Sequence, residues 1–124
     1  MTSTPLSPAA LAEHYIALWN ERDGERRQAL LDQHWTDDAQ YVDPLMRGDG
    51  PVQITGLIGA VQQRFPDFRF SLLGTADGHG EQLRFRWSLG PAGAQAPIEG
   101  SDVLLLRDGR IQRVIGFLDR VPAP

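Results

Sequence analysis

The sequence is short of several residue types, and each shortage removes a class of chemistry. The 124-residue chain has no cysteine, which excludes disulfides, thiol nucleophiles and thiolate zinc sites. It has no lysine either. All 12 basic residues are arginine, so there is no amine for a Schiff base and no lysine for a Walker-type phosphate loop. His14, His34 and His79 are scattered with no i, i+4 pairing, so a histidine metal site is not expected. No apolar run approaches the roughly 20 residues of a membrane span. Met1–Ala10 lacks the basic start and apolar stretch of a secretion signal. A net charge of -4 disfavours nucleic acid, whose binding relies on clustered positive charge. The expectation is one cytoplasmic domain without membrane or nucleic-acid partners, metal or cofactor. Acid–base chemistry by Asp, Glu and Tyr remains available, as does ligand binding without chemistry.

What is present describes a folded domain. With 41% hydrophobic residues and balanced charge, the chain can build a core rather than stay disordered. Residues 1–124 read as a single domain, with no repeat and no linker. Ser7 and Pro8 open a first helix as cap and first-turn residue, and Leu11, Tyr15 and Leu18 form its apolar stripe. After Asp23-Gly24, a short second helix runs from Glu25 to about Trp35, and Thr36-Asp37-Asp38 makes a turn. Gln40–Asp43 reads as a short strand stopped by Pro44. A third helix starts near Asp49-Gly50-Pro51, carries Ile54, Leu57, Ile58, Val61 and Phe65 on one face, and ends at Pro66. The period then falls to two. Phe68–Leu72, Leu83–Leu89, Ile98–Leu106 and Arg110–Leu118 read as strands, the last pair joined by a hairpin at Arg107-Asp108-Gly109. Gly74–Gly80 and Gly90–Pro97 read as turn-rich connections. Helices first and strands later predict an α+β fold, five strands packed on a helical layer.

Polar groups at positions expected to be buried carry the chemical information. Tyr15 lies on the apolar stripe of the first helix, as a core aromatic or as a hydroxyl donor. Asp43 shares a face with Tyr41, either to organise the turn before Pro44 or to act in a site. Asp102 is in phase with Leu104 and Leu106. If buried there, it needs a partner or a proton; the other reading is exposure at a strand end. Arg84 and Arg86 fall on the face opposite Phe85 and Trp87, as a solvated face or a dimer surface.

Taken in order, these residues form a familiar set. The run Tyr15-Ile16-Ala17-Leu18-Trp19-Asn20 to Asp23 resembles the first helix of bacterial ketosteroid isomerases. So do Asp37-Asp38-Ala39 leading to Val42-Asp43-Pro44, and Ala96-Pro97-Ile98 followed by Asp102. Asp102–Ile111 and Gly50–Asp67 resemble the broader SnoaL-like group. The resemblance covers nearly the whole chain. It implies the cone-shaped fold of the nuclear transport factor 2 superfamily, three helices in the N-terminal half packed on a curved, mostly antiparallel sheet around an apolar pocket. It also implies a homodimer.

The resemblance places Asp43 at the isomerases' proton-shuttling base, and Tyr15 and Asp102 at the two donors to the oxyanion. Those enzymes keep a carboxylic acid neutral so that it can donate a hydrogen bond. Where they carry a supporting tyrosine on the third helix, this chain has Ile58. The implied activity is proton transfer at carbon next to a carbonyl, isomerase or cyclase-like, on a small apolar molecule. Tyr41, Ile58, Phe85, Trp87, Leu104, Ile115 and Phe117 are the expected pocket walls. The alternative is a non-catalytic binding or accessory protein using the same pocket. An epoxide hydrolase would need an arginine between two inward carboxylates, and the pattern aims Arg84 and Arg86 away.

Overall fold

Ser7 starts the first helix as its sequence suggests, its hydroxyl accepting from the Ala10 amide at 3.1 Å, with Pro8 at the first helical position. The computed structural model describes residues 6–122. Helix α1 spans Pro8–Asn20, α2 Gly24–His34 and α3 Gly50–Arg64. The strands are β1 Trp35–Val42, β2 Arg47–Asp49, β3 Phe68–His79, β4 Gln82–Pro91, β5 Ile98–Arg107 and β6 Arg110–Arg120. They form one open sheet in the order β2-β1-β6-β5-β4-β3. The β1–β6 pair is parallel and the other four pairs are antiparallel. Three helices on this curved mixed sheet make the α+β cone expected from the sequence.

Three local readings are corrected. The sheet has six strands rather than five, because Arg47–Asp49 pairs with Gln40–Val42 in a strand too short to show a period. Thr36-Asp37-Asp38 lies inside β1 rather than in a turn. Trp35 and Ala39 both face the core, and the register shift between Trp35 and Gln40 masks the alternation. Gly74–Gly80 is largely strand. β3 runs on to His79 through a shift between Leu73 and Asp77, and such a bulge bends a strand without ending it. The hairpin at Arg107–Arg110 forms as read, with Asp108 and Gly109 both at positive φ, 53° and 80°, as a two-residue turn of this kind requires.

Two side chains fix α1 over the sheet. Asn20, at its last turn, donates to the Phe70 carbonyl at 2.9 Å and accepts from the Phe70 amide at 2.8 Å. The helix end thereby occupies an edge of β3 that would otherwise stay open. From α3, Gln62 donates to the Trp19 and Glu21 carbonyls, satisfying acceptors the helix end leaves free. Leu18, Leu31, Ile54, Ile58, Leu104, Ile111 and Val114 are fully buried between the layers. Only Ile54 and Ile58 of the α3 stripe are fully buried. The last turn of that helix stands over a cavity instead of a packed core.

Candidate active site

The cavity measures about 730 Å³, within the range that takes a small organic ligand. Its lining comes from the C-terminal half of α1, the β1–β2 loop, the end of α3 and the inner faces of β3 to β6. Tyr15, Asp43 and Asp102 all line it.

Asp43 is placed by the hairpin that follows β1. Its Oδ1 accepts from the Leu45 and Met46 amides at 2.7 and 2.9 Å, so the side chain caps its own turn. Residues two apart on a strand share a face, and Tyr41 uses that proximity. Its hydroxyl donates to Asp43 Oδ2 at 2.6 Å. Both sequence readings of Asp43 therefore coexist. The carboxylate organises the turn and faces the cavity. Tyr41 keeps its proton, since burial, followed by the charges of Asp102 and Asp43, pushes its pKa upward.

Asp102 sits in the middle of β5, opposite Phe85 on β4 and Gly116 on β6, and is 2% exposed. Trp87 donates its indole N–H to Asp102 Oδ1 at 3.1 Å. Burial pushes the Asp102 carboxyl up to about 6. Hydrogen bonding from Tyr15 and Trp87 opposes that rise, while the charge of Asp43 adds to it. Tyr15 packs edge-on against Phe85, ring centroids 5.1 Å apart, with its hydroxyl in polar reach of Asp102. The aligned hydrogen bond to Asp102 comes from Trp87. Burial and the Asp102 charge raise the Tyr15 pKa well above its ordinary value. Tyr15 is thus a neutral donor.

Two glycines shape this arrangement. A Cβ on Gly100 would lie 2.2 Å from the Trp87 ring, so only glycine lets the indole lie across β5 toward Asp102. A Cβ on Gly116 would lie 3.0 Å from Asp102 Oδ1, 3.1 Å from Asp43 Cβ and 3.6 Å from the Tyr41 hydroxyl. The two acids and one phenol meet over that bare backbone.

The expected walls divide. Tyr41 and Trp87 line the cavity. Ile58, Phe85 and Leu104 are buried in the core cluster and absent from the lining. Ile58 brings no hydroxyl to the site, and the Tyr41 hydroxyl is turned to Asp43 rather than to Tyr15. Ile115 and Phe117 are corrected outright: Phe117 is 52% exposed, and the inward positions of β6 are Val114, Gly116 and Leu118. Register explains it, since Leu104 faces Val114, Asp102 faces Gly116 and Gly100 faces Leu118. Glycine at an inward position erased the hydrophobic alternation that would have given the phase.

The sequence reading missed Trp19, Arg64 and Phe70, which also line the cavity. The Trp19 indole N–H is buried and, among the described residues, has no aligned hydrogen-bond partner. Its spacing from Tyr15, four residues along one helix, was the available signal. Arg84 and Arg86 are on the outer face of the sheet, away from the cavity, and pair with Asp77 and Glu99. Among the described residues, no cluster of acids and histidines is arranged to hold a metal, and no helix is long and apolar enough to cross a membrane.

The architecture is of the nuclear transport factor 2 type. A protein of that type from Cytophaga hutchinsonii, of unknown function, superposes with a TM-score of 0.69 at 13% identity, over 94% of each chain. The chain belongs to the SnoaL-like domain family, whose model matches residues 12–114. A candidate isomerase of the SnoaL-like family from Agrobacterium tumefaciens is 46% identical, with a TM-score of 0.86 over 90% of this chain and 97% of that one. A candidate ketosteroid isomerase from Kribbella flavida shares the fold at 22% identity and a TM-score of 0.68, over 94% of this chain and 81% of that one. None of the curated proteins matches the chain in sequence.

Proposed function

We propose that the protein catalyses proton transfer at a carbon next to a carbonyl, as an isomerase or cyclase, on a small apolar substrate. The observation that carries this reading is the meeting of Asp43 and Asp102 over Gly116, inside a cavity otherwise lined mainly by apolar side chains. Asp43 is the base. Its ring of donors fixes the carboxylate while one face stays open to the cavity, and a base must lie within hydrogen-bond reach of the proton it takes. Tyr15 and protonated Asp102 donate to the carbonyl oxygen as it gains enolate charge, in a site dry enough for such donors to be strong. The carbon-bound proton moves to Asp43 and returns to a different carbon for isomerisation. For cyclisation, the enolate carbon instead attacks a second carbonyl, breaking its C=O π bond, and the alkoxide oxygen so formed takes the proton back from Asp43. SnoaL-like family membership and the isomerase name carried by a relative at 46% identity support the reading.

The test is conversion of a β,γ-unsaturated ketone to its conjugated isomer, followed by absorbance, in wild type and Asp43→Asn. The expected result is a fall in kcat of about 10²–10⁴-fold, the usual worth of a general base, with ligand still bound. Equal turnover in the variant overturns the assignment. A ligand that co-purifies unchanged, with no turnover of any enolisable ketone, moves the protein to the binding class.

A further inference from the structure

The cavity changes character from floor to mouth. Its floor is Tyr15, Trp19, Trp87 and Asp102, each less than a tenth exposed. At its mouth stand Leu45 and Val121, 78% and 55% exposed, and the exposed Arg64 on the last turn of α3. Leu45 and Val121 give that mouth an apolar rim continuous with the apolar lining.

Among the described residues, Arg64 is the one basic residue in the lining. The acids that share the cavity have other partners: Asp43 holds Tyr41 and two amides, and Asp102 holds Trp87. Among the described residues, Arg64 forms none of the ion pairs. Its guanidinium lies 5.7 Å from the centre of the Phe65 ring, and Phe65 is itself part of the lining. A cation at a helix C-terminus is favourable on its own account. That does not explain a guanidinium held against an aromatic wall of the cavity and, among the described residues, outside every ion pair, a fork suited to a carboxylate.

We propose that the ligand is an amphipathic molecule with an apolar body and an anion, a carboxylate in the simplest form, at the end held by Arg64. The position of the reactive carbonyl at the opposite end rests on the function proposed above. The anion at the mouth does not. The carboxylate sits outside, where the acids of the floor cannot repel it, and the chain of the ligand runs inward along Phe65, Phe70 and Leu89.

The experiment is equilibrium binding of decanoate and decan-1-ol to the whole chain by calorimetry at pH 8, in wild type and Arg64→Gln. These probes undergo no turnover, so the result is independent of the assignment of Asp43. Wild type is expected to prefer decanoate by about threefold to tenfold, the range of a partly exposed charge-assisted pair. The preference should shrink in high salt and vanish in Arg64→Gln, with decan-1-ol affinity unchanged. Equal binding of the two probes by wild type, a preference that survives in Arg64→Gln, or no binding of either overturns the proposal.

Discussion

Trp87 and Asp102, on the neighbouring strands β4 and β5, are joined by a 3.1 Å hydrogen bond from the indole N–H to Oδ1. The bond exists because residue 100 is glycine, leaving the indole room to cross β5. Since Oδ1 accepts from Trp87, a proton on this acid belongs on Oδ2, the oxygen left for a ligand or for Tyr15.

Removing that bond has a defined sign. The Trp87 hydrogen bond lowers the Asp102 pKa, so Trp87→Phe should raise it above about 6. If protonated Asp102 is the donor in turnover, the alkaline limb of the pH–rate profile moves to higher pH in the variant. Carboxyl-carbon NMR titration of Asp102 gives the same shift without substrate. A stability loss of about 1–3 kcal/mol is expected from the unpaired oxygen.

Asp102 also makes stability depend on pH. Its folded-state pKa lies near 6 against an ordinary 3.8, so between these values the folded chain binds the proton more tightly than the unfolded one. Stability from this group is therefore complete below about pH 4 and is lost as pH rises through 6. The span of roughly 2 units corresponds to roughly 3 kcal/mol. Asp102→Asn cannot ionise and keeps an oxygen for the indole. Its melting temperature should exceed that of wild type at pH 7 and lose most of that advantage at pH 4, as thermal unfolding in the two buffers will read.

Legibility in the sequence followed the strength of local pattern. Ser7-Pro8, the α3 stripe and Asp108-Gly109 each declare their structure within a few residues, and each forms as read. Asp102 announced itself because a charge between apolar neighbours breaks a period. Tyr15, Asp43 and Asp102 share one cavity, although they lie far apart in sequence. The face of β6 was not legible. Its phase depends on pairing with β5, and its inward residue between Val114 and Leu118 is a glycine. Nor could the period reveal β2, three residues long, or the role of the Tyr41 hydroxyl, which depends on how the β1–β2 turn folds back.

The corrected phase of β6 can be checked by itself. Phe117→Ser should cost less than about 1 kcal/mol, as substitutions at exposed positions do. Val114→Ser, at a fully buried site, should cost about 2 kcal/mol or more, through lost burial and an unpaired hydroxyl. Urea unfolding of the two variants decides it. The reverse order would return Phe117 to the interior.

Gly116 is where fold and chemistry meet, and alanine there tests both. A Cβ would sit 3.0 Å from Asp102 Oδ1 and 3.1 Å from Asp43 Cβ, closer than relaxed side chains settle. Neither acid can yield freely. Asp43 is tied to the Tyr41 hydroxyl and two amides, and Asp102 to Trp87. The added methyl should therefore push base and donor apart by a few tenths of an ångström. Displacement of a reacting group by about 1 Å can cost up to about 10²-fold, so a loss of roughly tenfold in kcat is expected, with KM nearly unchanged. Glycine has greater conformational freedom in the unfolded chain, so alanine recovers up to about 1 kcal/mol there, and the melting temperature should move little. A large loss of stability with kcat intact would mean that Gly116 serves packing and that the carboxylates are not held in register for a reaction.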